Sequence, residues 1–211
     1  MERMEEVIPE ADHQALQHML SESAWAEQAV LDQVAQNANR LLGDRADCSL
    51  IVDESGFPKK GRHSVGVGRQ WCGQLGQVEN CQVGVFAALD RRTKATLIDE
   101  RLFPPEAWTQ DPKRCQAARI PATHRDFKRK HDLALEMIAH ARRQGTGFAW
   151  VGFDGFHGND PAFPRALDAR GEISVGDAHQ GDAHQGDAHQ GDAHQDQRIY
   201  LEDSQPILPP A

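Results

Sequence analysis

The order of apolar segments between Cys48 and Gly176 constrains the fold of this chain more than any other sequence feature. Runs rich in β-branched and aromatic residues predict five strands, at 48–53, 81–89, 94–103, 148–153 and 172–176. Helical spacing of apolar residues separates the last three strands. The order β–β–β–α–β–α–β predicts an α/β fold in which antiparallel strands come first and helix-connected parallel strands follow.

Turn and capping residues set the expected boundaries of these elements. Residues 90–93 (D-R-R-T) predict a hairpin turn, and Gly145 is expected to end a helix that begins near Asp126 and carries Phe127 on its apolar face. Asp160-Pro161 predicts the start of the next helix. We therefore expect an N-terminal helical segment over residues 1–45, followed by a core domain over residues 46–211.

Composition excludes several classes of protein. The chain has 211 residues and a formal net charge of −9, which argues against a general nucleic-acid-binding protein. It contains no apolar run of the ~20 residues that a membrane span requires. Four cysteines without a C-x-x-C pair favour reduced thiols and a cytoplasmic location. The charge is uneven, however, because basic islands at 57–78 and 113–143 interrupt an acidic chain.

Residues 176–195 are four identical copies of G-D-A-H-Q. Aspartate and histidine both bind metal ions, so one hypothesis is a metal-binding protein that acts through this repeat. The alternative is a flexible insertion, because the repeat has no apolar residue larger than alanine and its period fits neither strand nor helix. We favour the insertion.

Two predicted strands each end in an aspartate. Asp53 follows the apolar run 50–52, and Asp154 follows the run 148–153. If the strands are neighbours, both carboxylates lie at the same sheet edge, where they repel each other unless a cation lies between them. Oxygen ligands of this kind select Mg²⁺ or Mn²⁺, which support phosphoryl transfer. The alternative is two unrelated aspartates that cap turns.

Longer segments carry a family resemblance. C-S-L-I-V-D-E-S-G-F-P-K-K-G-R-H-S-V-G-V-G-R-Q-W-C-G-Q-L-G-Q-V-E-N-C-Q-V-G-V, L-F-P-P-E-A-W, K-H-D-L-A-L-E-M-I, D-G-F-H-G-N-D-P-A-F and D-Q-R-I-Y-L-E-D occur in this order. Together they resemble bacterial insertion-sequence transposases of the Asp-Asp-Glu (DDE) class, in particular insertion-sequence group seven hundred and one. The resemblance runs from the first residues to residue 208 and is interrupted by the repeat.

The resemblance implies a ribonuclease-H-like fold and a DNA transposase that uses two Mg²⁺ (or Mn²⁺) ions. Asp53 and Asp154 match the first two catalytic carboxylates and are expected to bind the metal. The expected partners are transposon ends and target DNA, with a homodimer in the full-length family and a nucleoid-associated location in bacteria. The candidate phosphate contacts are basic residues near Asp53 and in the second island: Lys59, Lys60, Arg62, Arg69, Arg125, Lys128, Arg129 and Lys130.

The family pattern also requires a third carboxylate, a glutamate on a later helix. We assign neither Glu202 nor Asp203 this role, and expect a front half of a transposase that is inactive or weakly active. The alternative function is a non-catalytic DNA- or partner-binding fragment that inhibits a full-length transposase. Near the candidate site, His157 could contact the scissile phosphate, but we favour a loop histidine without such a role. Glu54 is a poor metal ligand because it faces the opposite side of the sheet.

Overall fold

One mixed sheet organises the part of the chain that the computed structural model describes, residues 12–23, 26–177 and 199–200. Its strands are β1 Cys48–Pro58, β2 Gly68–Cys72, β3 Gln77–Arg91, β4 Lys94–Phe103, β5 Trp150–Phe153, β6 Ser174–Asp177 and β7 Ile199–Tyr200. Their spatial order is β2-β3-β1-β5-β6-β7, with β4 also paired to β3. Strands β1, β5 and β6 are mutually parallel, whereas β1–β3 and β3–β4 are antiparallel. The predicted α/β, ribonuclease-H-like fold is confirmed.

The described part of the chain also contains seven α-helices. They are α1 His13–Ser21, α2 Glu27–Leu42, α3 Glu106–Thr109, α4 Pro112–Ala117, α5 Lys130–Arg143, α6 Gly155–Gly158 and α7 Ala162–Asp168, with a 3₁₀ turn at Ala122–His124. The chain divides into two compact units, residues 1–31 and 32–211. In the first unit, the Asp12 carboxylate caps α1 by accepting from the amides of Gln14 and Ala15.

The main core lies between one face of the sheet and helix α5. Along β1 the even-numbered Leu50 and Val52 are fully buried, and they meet buried residues of β3 and β5. Helix α5 contributes an apolar stripe with helical spacing, and α2 and α7 add to the same cluster. The α5 members are Leu133, Ala134, Met137, Ile138 and Ala141. Among the described residues, this packing leaves the odd-numbered face of β1, with the exposed Asp53 and Phe57, as the open face of the sheet.

Several predicted boundaries are confirmed and others are wrong. The 90–93 hairpin is confirmed, and Gly145 ends α5 at a φ of 77°. Strand β1 does not end at Asp53: it continues to Pro58 because β3 pairs with it throughout. Helix α5 begins at Lys130 because the Asp132 carboxylate accepts from the Arg129 amide, so Phe127 precedes the helix and is exposed.

The remaining sequence predictions concern thiols, membrane spans and the repeat. All four cysteines are free and buried. Within the described ranges, none of the helices combines the length and apolar character needed to cross a bilayer. The repeat after Asp177 and the acidic residues 202–203 lie outside the described residues, so their predicted roles stay predictions.

Candidate active site

Asp53 and Asp154 lie side by side on neighbouring parallel strands. The β1–β5 register pairs Ser49 with Trp150 and ends by pairing Val52 with Phe153. The two aspartates are the next residues on each strand, and adjacent strands are ~4.8 Å apart. The structure therefore brings together the two acids that the sequence singles out.

The Asp53 side chain lies on the open face of the sheet, and Asp154 lies next to it at the strand ends. A Cβ atom at Gly152 would meet the side chains of Ile51 and Trp150, so these three positions share a face. Because side chains alternate along a strand, Asp53 projects from that same face, whereas Asp154 follows β5 with an extended backbone and caps helix α6. The helix α5 core lies on the opposite face. Asp53 thus points away from the core, whereas the Asp154 carboxylate is about half exposed and contacts the buried His157.

The pKa values of Asp53 and Asp154 shift in opposite directions. Burial raises the pKa of Asp53, and the negative charge of Asp154 raises it further, whereas a hydrogen bond from the Glu54 amide lowers it. Burial would also raise the pKa of Asp154, but hydrogen bonds from the His157 side chain and backbone outweigh it, so the pKa of Asp154 is lowered. Asp154 is therefore the carboxylate that ionises more readily, and its negative charge disfavours the ionisation of Asp53.

His157, which the sequence suggests is a loop residue, belongs to a helix and contacts Asp154. It lies on the one-turn helix α6, its side chain is fully buried, and its Nδ1 is 3.1 Å from Oδ1 of Asp154. The His157 amide donates to the same oxygen at 3.3 Å. A buried imidazole cannot reach a substrate phosphate, so any contribution it makes passes through Asp154. The D-G-F-H spacing that suits an aspartate cap was the available signal.

A third aspartate continues the row. Strand β6 pairs Gly176 with Phe153, so Asp177 follows on the next parallel strand, two strand spacings (~10 Å) from Asp53. Across the described ranges, no three Cys, His, Asp or Glu side chains are grouped so that they could hold one metal ion. The arrangement there is a carboxylate pair, Asp53 and Asp154, with Asp177 more distant.

Glu54 lies on the core face, as the sequence predicts for a residue next to Asp53. Its Oε1 accepts from Nζ of Lys130 at 2.7 Å, and both side chains are largely buried. Lys130 also lies 4.7 Å from the centre of the Phe156 ring, as in a cation–π contact. This ion pair ties the start of α5 to β1 directly behind the aspartate pair.

An open groove of about 350 Å³ runs along the sheet beside Asp53. Phe86 is the β3 partner of Asp53, and its ring makes an edge-on contact with Phe57 at 6.1 Å between centroids. The other lining residues are Ile51, Glu54, Ser55, Ala88 and Leu97. One wall of the candidate site is therefore apolar and aromatic.

The first basic island is carried away from Asp53 by the extension of β1. Residues 59–62, which we name the basic loop, contain Lys59, Lys60 and Arg62, are exposed, and form no ion pair with a described residue. Six residues of extended chain separate Asp53 from Lys59, a distance of ~20 Å. Arg69 lies nearby on β2 and is also exposed. The basic loop lies on the same ribbon as the carboxylates but not next to them.

The second basic island is largely engaged with protein groups. Lys128 pairs with Glu136 at 2.7 Å, Arg129 with Asp132 at 3.1 Å, and Lys130 with Glu54. The Arg125 guanidinium donates twice to the carbonyl of Ile120. The structure thus gives each of these four predicted DNA contacts a local partner.

Comparison with known families fits this geometry. The family model of the DDE superfamily endonucleases matches residues 1–190. The chain belongs to the DDE superfamily of endonucleases. Comparison with curated proteins finds no match. Enzymes of this superfamily act on DNA and generally use divalent metal ions, which agrees with a carboxylate pair at the carboxyl end of parallel strands in this DDE superfamily member.

Proposed function

We propose that this chain is a transposase-type endonuclease in which Asp53 and Asp154 bind a divalent cation and direct the cleavage and strand transfer of DNA. One observation carries the proposal: the in-register placement of the two aspartates at the ends of adjacent parallel strand segments. The family match supports the nuclease chemistry, and the two aspartates are the proposed metal ligands for it.

The residues present fit a hard cation. The charge of Asp154 raises the pKa of Asp53, and a shared Mg²⁺ or Mn²⁺ would remove this repulsion between the two carboxylates. When bound, such ions supply an activated nucleophile and stabilise the leaving oxygen of an in-line phosphoryl transfer. The protein contributes the positions of Asp53 and Asp154 and the exposed face on which DNA can lie.

The basic loop supports a DNA-binding path along the β1–β3 ribbon. It is ~20 Å from Asp53, which corresponds to about six base pairs of duplex at 3.4 Å each. Lys59, Lys60, Arg62 and Arg69 would therefore hold phosphates about half a turn from the cleavage position rather than the scissile phosphate itself. Of the second island, we retain Arg125, Lys128 and Arg129 as weaker candidates, since their charges are shared with protein partners. We do not retain Lys130, because its side chain is largely buried in the ion pair with Glu54.

The family resemblance suggests further features of this protein. We infer membership of insertion-sequence group seven hundred and one, a two-metal site completed by a third carboxylate, a homodimer, and association with the nucleoid. The quoted motifs support the group assignment.

A strand-transfer assay with terminal-inverted-repeat DNA and Mn²⁺ tests the proposal. Cleavage that Asp53→Asn abolishes and the exposed-surface control Asp168→Asn retains supports the nuclease function. DNA binding without any cleavage supports the alternative, a non-catalytic fragment that occupies transposon ends. Absence of both DNA binding and cleavage would contradict the proposal.

A further inference from the structure

His157 lies directly behind the candidate metal ligand Asp154. Two donors of this one residue, the ring Nδ1 at 3.1 Å and the backbone amide at 3.3 Å, converge on Oδ1 of Asp154. The Asp154 side chain stays about half exposed while the His157 side chain is fully buried. The carboxylate is therefore held from the protein side and open on the solvent side.

The chemistry of the pair fixes the direction of the ring hydrogen bond. An ionised carboxylate has acceptors only, so Nδ1 must carry the proton that forms this bond. A neutral imidazole has one N–H, which leaves Nε2 as an acceptor. That Nε2 is buried and makes no hydrogen bond to any described residue.

The surroundings of His157 hold its ring in place. The rings of Phe163, His131 and Phe156 lie 5.0, 5.1 and 5.1 Å from it, centre to centre. An enclosure this aromatic would accept phenylalanine, which has no unpaired polar atom to bury. A histidine with an unpartnered Nε2 costs stability at such a position, so the feature that distinguishes it from phenylalanine is its bond to Asp154.

We propose that His157 is a positioning residue that donates from Nδ1 to Asp154 and fixes the carboxylate in the orientation that binds the divalent cation. Outer partners of this kind hold metal ligands in the bound geometry before the ion arrives, and their loss weakens affinity by about 10- to 100-fold. The inference rests on the proposed function, because it assigns Asp154 as a metal ligand.

Three substitutions separate positioning from packing. His157→Asn places an amide N–H where Nδ1 lies, His157→Gln places one near Nε2, and His157→Phe keeps the ring without a donor. His131→Phe is the matched control, since it changes the same aromatic cluster but removes the contact of His131 Nδ1 with Oδ2 of Asp160, at 3.2 Å, instead. Mn²⁺ affinity is measured by titration calorimetry on the full chain, as the difference from Asp53→Asn, and thermal unfolding reports folding.

We expect His157→Phe and His157→Gln to weaken Mn²⁺ binding by about tenfold or more, and His157→Asn and His131→Phe to stay close to wild type. Wild-type affinity in the folded Phe and Gln variants would overturn the inference. If the Phe variant does not fold, the contrast between Asn and Gln decides. A ¹⁵N NMR spectrum of the metal-free protein provides a second test: the inference requires the Nδ1–H tautomer of His157, and an Nε2–H tautomer overturns it. If wild type and Asp53→Asn bind Mn²⁺ equally, the proposed function fails, while the tautomer still reports separately on the His157–Asp154 bond.

Discussion

The ion pair between Lys130 and Glu54 gives the sharpest stability prediction. Nζ and Oε1 are 2.7 Å apart, and the two side chains are only 14% and 15% exposed. The second carboxylate oxygen of Glu54 is buried without a hydrogen-bond partner among the described residues. Burial raises the pKa of Glu54, and the hydrogen bond from Lys130 offsets part of that rise. Lys130→Met therefore leaves a largely buried carboxylate without its cation.

Removal of one partner of a buried pair costs ~3–5 kcal/mol, and we expect ~3 kcal/mol because both side chains remain partly accessible to water. A loss of this size lowers the melting temperature by roughly 6–12 °C in a domain of this length. The double variant Glu54→Gln/Lys130→Met should recover most of the loss, because no unpaired charge is then buried.

The loss should depend on pH. Since the folded-state pKa of Glu54 is raised above its ordinary value of 4.5, the folded protein holds this proton more tightly than the unfolded chain does. The penalty for the unpaired carboxylate is therefore small at about pH 4 and complete by about pH 8. Urea unfolding of Lys130→Met at both pH values measures it. A loss below ~1 kcal/mol at the higher pH, or an equal loss at both, would refute the reasoning.

Three further predictions concern other parts of the molecule. Met137→Ala should destabilise the core by ~2–5 kcal/mol in urea unfolding, because the Met137 side chain is fully buried against the sheet. Hydrogen bonds from Arg91 and Arg92 hold the pKa of Asp47 at about 2. In a ¹³C NMR titration, replacing both arginines with Gln should return this pKa toward 3.8. The stabilisation that the lowered pKa provides is present above pH 3.8 and is lost as the pH falls toward 2. Alanine at the three basic positions of the basic loop should reduce the slope of log K, the association constant for DNA, against log salt concentration. The reduction should be ~0.9 for each phosphate that the loop no longer neutralises. An unchanged slope would exclude the basic loop from the interface.

The strands that could be predicted from sequence are those that the core buries. The apolar runs in β3, β4 and β5 reflect burial directly, and their pairing followed from the hairpin turn and the intervening helix. The extension of β1 could not be predicted, because Gly56 and Pro58 indicate a turn when only local preference is considered. Pairing with the whole of β3 overrides that preference, and Pro58 is tolerated because it is the last residue of the strand. Strand β2 (G-R-Q-W-C) has no clear alternation and was missed.

The two carboxylates of the candidate site could be predicted from sequence, but the residue that hydrogen-bonds to Asp154 could not. Asp53 and Asp154 stand out because each follows an apolar run, and a parallel register needs only that the two strands be neighbours. The D-G-F-H spacing suits an aspartate cap, but it does not predict that the His157 ring is buried against Asp154. Its burial depends on Phe163 of α7 and on His131 of α5. Both residues belong to other helices, so the sequence around His157 does not reveal the contacts. The distance of the basic loop from Asp53 likewise depends on the length of β1.

The most direct test of the proposed metal site is the position of a bound ion. Crystals of the protein soaked in Mn²⁺ and measured at its absorption edge would locate the metal by anomalous scattering, independently of any ion held elsewhere in the chain. We predict a peak between the carboxylates of Asp53 and Asp154, with oxygen atoms at about 2.0–2.2 Å, that disappears in Asp53→Asn. A fully loaded crystal with no peak between these two side chains would contradict the assignment.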